Sequence, residues 1–451
     1  MKVLLIRPQA PNKLSFTKIL DNEPLELEYL HTVLANAGYD DYIFDGLIER
    51  QTVAEAMRRE KPDVVAITGY ITQEKLMLEF CKKAKEINPN IVTIIGGVHA
   101  QRNYEHFYSP LVDYIFRSEC CNSFLDLISY VDKNSKLEVS KINGLCYPSA
   151  DGAWTCNPLT PIDINSLPIP DRAFFHKYKS NYRYLELTEV ATIKTSFSCP
   201  YSCNFCYCTL LAGGKYRVRD LNLVIEELKS IEVTNVQIVD DDFLVDRNRL
   251  TEFVRLVKEN NIHKTYLCYA RADFVAENGD LVKALAEIGF RYFLVGLEAV
   301  TDDELNGYNK QTSAEVNKKC VEVIGSTSAD CIALMIAPID ATKQYFEKLY
   351  QWVKDNELKY VTVSIFTPIP GTPLYDEYAD RITSTDVEDW DFLHLVLEPT
   401  YLTKREFYNQ YNKLFLRLYR IARRTGTYDF MDLKFYKNML QDYLRRKIRG
   451  N

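Results

Sequence analysis

The chain reads as an α/β protein with two parallel sheets: an N-terminal doubly wound, Rossmann-like sheet, then a partial barrel of six strand–helix units and a helical C-terminal region. Three observations predict this. Short β-rich runs alternate with polar-faced helical patterns over residues 1–130, and the alternation breaks over residues 131–185. It then resumes for six units over residues 186–375, which falls short of a closed (β/α)8 barrel. Residues 376–451 are expected to be mostly helical.

In order, the first strands are VLLIRP, DYIFD, DVVAIT, IVTIIGG and DYIFR, separated by helices such as LELEYLHTVLANAG and EKLMLEFCKKAKEI. Alternation of this kind gives a parallel sheet covered on both faces, whose ligands sit beyond the carboxyl ends of the strands. The residues to inspect are therefore Pro8 to Pro11, Thr68 to Thr72, Gly96 to Ala100 and Arg117 to Cys121. GLCYPSADGAWTCNP reads as a hairpin turning at Asp151-Gly152, and the proline-punctuated SLPIPDRAFF reads as linker. The barrel strands are ATIKTSFS, NVQIVDDD, TYLCYARAD, YFLVGLEA, CIALMIAP and YVTVSIFTP.

Composition bounds the function. The 451 residues are 47% hydrophobic and 26% charged, as in an ordinary globular protein, and no run approaches the ~18 apolar residues of a membrane span. A net charge of −7 leaves no electrostatic footprint for nucleic acid. MKVLLIRP reads as a first strand, not a secretory signal. Twelve cysteines then predict a reducing cytoplasm, with thiols free or metal-bound instead of in disulfides. From Lys404 onward 13 basic residues face 4 acidic ones, the pattern of a solvated terminal helix or of peripheral contact with an anionic membrane. The 31 tyrosines, several of them in that tail, read as packing rather than as a radical relay.

The chemistry is concentrated in SFSCPYSCNFCYC, where Cys199, Cys203 and Cys206 are spaced C-x3-C-x2-C after the first barrel strand. Three thiolates can hold three irons of a [4Fe–4S] cube and leave the fourth open to a small chelating ligand. The alternatives are a structural zinc site or buried core thiols, with Cys208 an awkwardly close fourth ligand. The spacing, with Phe205 before the third cysteine, resembles the radical SAM superfamily, whose cluster binds S-adenosylmethionine (SAM) through its amino and carboxylate groups.

That resemblance implies roles for other residues. In Asp240-Asp241-Asp242-Phe243, Asp240 and Asp241 are expected to accept from the SAM ammonium. Arg271 has two candidate partners, the SAM carboxylate or Glu298. Glu298, in VGLEA, resembles the family's G-I-E-S element and is expected at the ribose hydroxyls. FTPIPGTPLY matches the usual end of the barrel, whereas LMIAPIDAT departs from the glycine-rich fifth-strand pattern of relatives.

The first domain resembles the cobalamin-binding domain of the B12-binding radical SAM class through PLELEYL, IIGGVHA, VDYIFRSE and SLPIPDR. Thr68, Thr72, Gly96, Gly97, His99 and Glu119 are the implied cobalamin contacts. Two departures stand out. There is no D-x-H-x-x-G, and the usual R-G-E-G-E is Arg117-Ser118-Glu119-Cys120-Cys121, with both glycines gone. The resemblance implies an enzyme that cleaves SAM to a 5′-deoxyadenosyl radical, foremost a cobalamin-dependent methyltransferase acting on an unactivated carbon of a small metabolite or lipid. A cyclase, rearrangement or oxidation enzyme without methyl transfer is the second reading, and a non-catalytic metal-binding protein the third. The reducing partner implied is a flavodoxin or ferredoxin.

Overall fold

The computed structural model describes residues 1–9, 20–117, 121–134, 136–431 and 437. Glu119, Cys120, the loop after Gln9 and most of the basic tail beyond Met431 lie outside the described residues. Two compact units form: Met1–Tyr182 with Leu210–Arg219, and Arg183–Thr209 with Asp220–Asn451.

The first unit is a doubly wound sheet. Its strands β1 (Lys2–Arg7), β2 (Asp40–Asp45), β3 (Val64–Thr68), β4 (Val92–Gly96) and β5 (Tyr114–Phe116) are parallel in the order β2-β1-β3-β4-β5. The period-2 geometry of a strand sends alternate side chains to opposite faces. Leu4, Ile6, Val65, Ile67 and Ile95 accordingly pack on one face with Met57 of α2 (Val53–Glu60) and Phe80 and Ala84 of α3 (Glu74–Ile87). Val3, Leu5, Val64, Ala66 and Ile94 pack on the other with Leu27 and Leu34 of α1 (Leu25–Asn36) and Leu127 of the helix Cys121–Val131. Burial on both faces is why these strands are continuous apolar runs.

The stretch read as linker belongs to this unit. The predicted hairpin forms β6 (Leu145–Pro148) and β7 (Trp154–Cys156) and extends the sheet, with β6 antiparallel to β5. Cys146 and Cys156 face each other across it and are joined in a disulfide, contrary to the expectation that all thiols are free or metal-bound. Arg172 of SLPIPDR is buried and pairs with Glu23 at 2.5 Å and Glu28 at 3.7 Å, while the Phe175 N–H donates to Glu28. A buried guanidinium must keep its carboxylates, so the segment is held to α1 as part of the domain. The boundary accordingly falls at Tyr182, beyond the expected residue 130.

The second unit carries the six predicted strands, all parallel and in sequence order: β8 (Ala191–Ile193), β9 (Asn235–Ile238), β10 (Thr265–Arg271), β11 (Phe290–Glu298), β12 (Asp330–Ala337) and β13 (Tyr360–Ile365). Helices between them include Arg247–Glu259, capped by Asp246, and Lys343–Asp355, capped by Thr342. The C-terminal region becomes a long helix only at Lys404–Arg424, where a Thr403–Glu406 capping box starts it. Phe407, Tyr411, Leu414, Leu418 and Ala422 form its buried stripe. Phe407 packs edge-on against Phe346, and the Tyr411 hydroxyl donates to the Val363 carbonyl at 2.6 Å, which is the packing role expected of that tyrosine. No described helix is long and apolar enough to cross a membrane.

Candidate active site

The cluster loop leaves the carboxyl end of β8, the end where barrel enzymes gather their active-site residues. Ser198 has a left-handed φ of +65°, which turns the chain immediately before Cys199. The Cys206 N–H closes a tight turn on the Cys203 carbonyl at 3.2 Å. The loop is then fastened from outside. Asn204 N–H donates to the Tyr308 carbonyl, Asn309 Nδ2 donates to the Ser202 carbonyl at 2.8 Å, and Leu374 N–H donates to the Asn204 carbonyl. Leu374 lies in PGTPLY, so that motif props the loop after Gly371, at φ +87°, reverses the chain.

Cys199, Cys203, Cys206 and Cys208 are all free. Among the described residues, the group that brings three metal-ligating atoms within 4.8 Å of one another contains no cysteine. Three thiols on one short loop, with Cys208 hydrogen-bonded to Cys206, are the donor set that three irons of a cube take. Burial pushes the Cys199 thiol up to about 12 and raises Cys203. A hydrogen bond from Cys208 holds Cys206 below an ordinary thiol, and the same bond, with burial, raises Cys208.

Two buried cations stand against these thiols. Arg271, at the end of β10, places Nη1 3.5 Å from Cys203 Sγ and its guanidinium 3.9 Å above the Tyr201 ring. Its carboxylate partner is Asp273 at 2.9 Å, not Glu298, and its Nη2 also donates to the Lys310 carbonyl at 2.6 Å. Glu298 pairs instead with Lys310 at 2.8 Å, both side chains being buried. A register shift between Gly296 and Glu298 gives Glu298 a φ of +60° and folds its side chain back over the strand. A Cβ on Gly296 would lie 2.4 Å from Glu298 Oε1 and 2.8 Å from Lys310 Nζ, so the ends of both side chains rest on the bare glycine and would have to shift for a larger residue. Phe205 packs edge-on against Tyr308, with Lys310 Nζ 5.9 Å from its ring.

The three aspartates after β9 differ sharply. Asp240 is buried and accepts from Thr195 N–H at 2.6 Å and Thr195 Oγ1 at 2.5 Å, so both of its oxygens are committed to holding the end of β8. Asp241 is half-buried. Asp242 is buried, accepts from Leu244 N–H at 3.1 Å through one oxygen, and leaves Oδ2 without a partner. Burial, opposed by Arg271, pushes its carboxyl up to about 8. An orphaned buried oxygen is what a pocket completed by a polar cofactor presents.

Asp242, Asp273, Lys310 and Tyr201 had no predicted role. Asp273 sits two residues after Arg271 and was findable as its local counter-ion; nothing in the sequence flags Lys310, which arrives from a loop 39 residues downstream of Arg271.

In the first unit, Thr68, Gly96 and Gly97 lie at the carboxyl ends of β3 and β4, with Thr72 in the turn that leads into α3. Gly97 has φ +89°, and a Cβ there would lie 2.2 Å from Thr68 Oγ1 and 2.9 Å from Gly69 N. A Cβ at Gly96 would meet nothing closer than Phe116 at 3.8 Å, so its missing side chain leaves open backbone for a flat ligand. His99 is buried, with Nε2 2.6 Å from Glu74 and Nδ1 3.2 Å from Asn103, so both ring nitrogens are engaged within the protein.

These two sites correspond to two known families. The B12 binding domain matches residues 19–127, and the radical SAM superfamily matches residues 193–353. The chain is similar to the hopanoid C-3 methylase of Methylococcus capsulatus, 27% identical over 93% of this chain and 80% of that one. It is similar also to the anaerobic magnesium-protoporphyrin IX monomethyl ester cyclase of Rubrivivax gelatinosus, at 26% over 90% and 75%. Its fold is that of the radical SAM methyltransferase TsrM from Kitasatospora setae, with a TM-score of 0.67 and 16% identity over 85% of this chain and 78% of that one. It is also that of the cobalamin-dependent radical enzyme OxsB, with a TM-score of 0.66 and 16% identity over 96% of this chain; the match spans only 62% of OxsB's length. With both domains matched in order and relatives aligned along nearly the whole chain, the protein belongs to the B12-binding radical SAM superfamily, as an enzyme whose cofactors are a [4Fe–4S] cluster, S-adenosylmethionine and cobalamin.

Proposed function

We propose that the protein is a cobalamin-dependent radical SAM methyltransferase acting on an unactivated carbon of a small metabolite or lipid. The observation that carries this reading is the set of free thiols on the loop after β8, with Arg271 3.5 Å from Cys203, in a chain whose first domain matches a B12 binding domain. When bound, the cluster and SAM supply a hydrogen-abstracting 5′-deoxyadenosyl radical and cobalamin supplies the methyl group.

The chain's own residues bind and orient. Cys199, Cys203 and Cys206 would hold three irons, and the Arg271 guanidinium, 3.5 Å from Cys203, offsets part of the burial that raises that thiol. Asp240 is spent on Thr195, which leaves Asp241 and the unpartnered oxygen of Asp242 for the SAM ammonium. Glu298 gives Oε1 to Lys310 and keeps Oε2 for the ribose hydroxyls. Arg271 already has a carboxylate in Asp273, so a SAM carboxylate would share it. Gly96, Gly97, Thr68 and Thr72 form the backbone and hydroxyl edge offered to cobalamin. The nine free cysteines among the described residues and an oxygen-sensitive cluster support a reducing cytoplasm, against which stands the Cys146–Cys156 disulfide, with a flavodoxin or ferredoxin as electron donor.

The test is metal content after anaerobic reconstitution with iron, sulfide and hydroxocobalamin, followed by turnover of methyl-labelled SAM with lipid and metabolite extracts. About four irons and one cobalt per chain, with S-adenosylhomocysteine formed alongside 5′-deoxyadenosine, is the expected result. Iron without cobalt would sink the methylcobalamin mechanism. Cobalt with 5′-deoxyadenosine alone would favour the second reading, ring formation, which the cyclase relative at 26% identity supports.

A further inference from the structure

One carboxylate and two imidazoles meet at the ligand edge of the first unit's sheet. Glu74 opens α3, His99 lies in the first turn of α4 (Val98–Asn103), and His106 lies in the 3-10 turn Tyr104–Phe107 that continues it. His99 Nε2 stands 2.6 Å, and His106 Nδ1 2.8 Å, from the same oxygen, Glu74 Oε2. The three atoms lie within 4.8 Å of one another, and the two rings are nearly perpendicular, with an interplanar angle of 79°.

This convergence is more specific than a surface ion pair. An ionised carboxylate only accepts, so each imidazole turns an N–H toward one oxygen, and the in-plane orbitals of both nitrogens point at the same place. Replacing those two protons with one dication turns the cluster into a two-histidine, one-carboxylate ligand set. Two of the three ligands are already held. Glu74 is anchored in a helix, and the His99 side chain is 1% exposed, with Phe107 edge-on 5.5 Å away and the Asn103 amide at its far nitrogen. With Nε2–H turned to Glu74, His99 Nδ1 accepts from the Asn103 amide nitrogen; with a metal on Nε2 the ring proton moves to Nδ1, and the Asn103 amide turns over to accept it through Oδ1. The third ligand, His106, is 46% exposed, which opens a path for an ion and leaves a coordination position to water.

We propose that Glu74, His99 and His106 bind a single zinc ion, clamping the turn after β4 to the start of α3. Imidazole and carboxylate ligands suit this borderline dication. Zinc bonds of about 2.0–2.2 Å require the ligand atoms to separate by roughly half an ångström from their present hydrogen-bonded spacing. The half-exposed His106 ring can supply that movement. The site is separate from the cluster cysteines, and the inference does not depend on methyl transfer.

The experiment uses the full chain with its iron–sulfur cluster reconstituted and no cobalamin added. It is incubated with zinc sulfate and desalted, then examined by elemental analysis and zinc K-edge X-ray absorption. The expected result is one zinc per chain with nitrogen and oxygen scatterers, imidazole outer-shell features and no sulfur. His106→Ala and Glu74→Gln should each lower retained zinc at least tenfold, while iron content and far-UV circular dichroism stay at wild-type values. Sulfur in the zinc shell would place the ion on the cysteines and overturn the proposal. So would undiminished zinc in His106→Ala, or no zinc retained by the wild-type protein. The ligand identity read from the wild-type spectrum decides the matter even if a variant folds poorly.

Discussion

Replacing Lys310 with methionine tests the electrostatic frame of the cluster pocket. Lys310 and Glu298 are 6% and 8% exposed and meet at 2.8 Å, over Gly296. Methionine fills nearly the same volume, so the chief effect is to leave the Glu298 carboxylate buried without its cation. Breaking a buried pair in this way costs about 3–5 kcal/mol. At roughly 2–4 °C per kcal/mol for a domain of this size, the melting transition of the second unit should fall by about 6–20 °C. The assay is calorimetry of the cluster-loaded protein without SAM, run also on Glu298→Gln and on the double variant. Because Glu298→Gln removes the stranded charge, the double variant should recover about 2 kcal/mol or more relative to additivity. A drop of less than about 2 °C for Lys310→Met, or strict additivity in the double variant, would refute the reasoning, since either means that the pair does not carry buried charge.

Asp240→Asn puts an amide against two donors from Thr195 and should lower the melting temperature at every pH. Asp242→Asn replaces a carboxyl raised to about 8 by burial, so the wild type loses stability as pH rises from about 4 toward 8 and the variant does not. Melting curves at pH 5 and pH 8 should show Asp242→Asn gaining on wild type at the higher pH. Gly97→Ala adds a Cβ 2.2 Å from Thr68 Oγ1 at a left-handed φ, and should cost about 1–3 kcal/mol and weaken cobalamin uptake, measured by melting and by bound-cobalamin absorbance. His31 donates to Asp41 at 2.9 Å, which raises its pKa. Its contribution is complete below about 6.5 and fades as pH rises through the elevated value, so His31→Gln should flatten the fall in melting temperature on the alkaline side of that point.

Strands such as Lys2–Arg7, Val64–Thr68 and Phe290–Glu298 were legible because burial on both faces makes them nearly continuous apolar runs, whereas Asp40–Asp45 and Tyr360–Ile365, each with exposed positions, were legible from the strand–helix alternation. The hairpin was legible too, but not its place at the sheet edge, since strand pairing is a tertiary choice. The same limit hid the anchoring of Arg172: its carboxylates, Glu23 and Glu28, lie more than a hundred residues earlier in the chain, and no local pattern connects them. In the site, the cysteine spacing and the PGTPLY turn are local and were read directly, but not the long-range bond from Leu374 N–H to the Asn204 carbonyl by which that turn props the loop. The roles within Asp240-Asp241-Asp242 depend on which carboxylate Thr195 captures, a contact across 45 residues. Cys146 and Cys156 illustrate the converse: their ten-residue separation marks nothing until the hairpin register sets them opposite each other.

The pocket's charges also explain why Arg271 could not be assigned from sequence. The Arg271 charge disfavours the Lys310 ammonium, and burial penalises both cations. Each is therefore given its own carboxylate, Asp273 and Glu298, and the two pairs are linked when Arg271 donates to the Lys310 carbonyl. With the cations compensated in this way, the field at the thiols is that of two oriented ion pairs. The Arg271 end lies nearest to sulfur, 3.5 Å from Cys203. Such an arrangement offsets part of the burial that raises Cys203, without leaving a net buried charge when the cluster is absent. An arginine that simply awaited a SAM carboxylate would be a buried unpaired cation in the apo-protein, so pairing with Asp273 is what lets the site fold before its cofactors arrive.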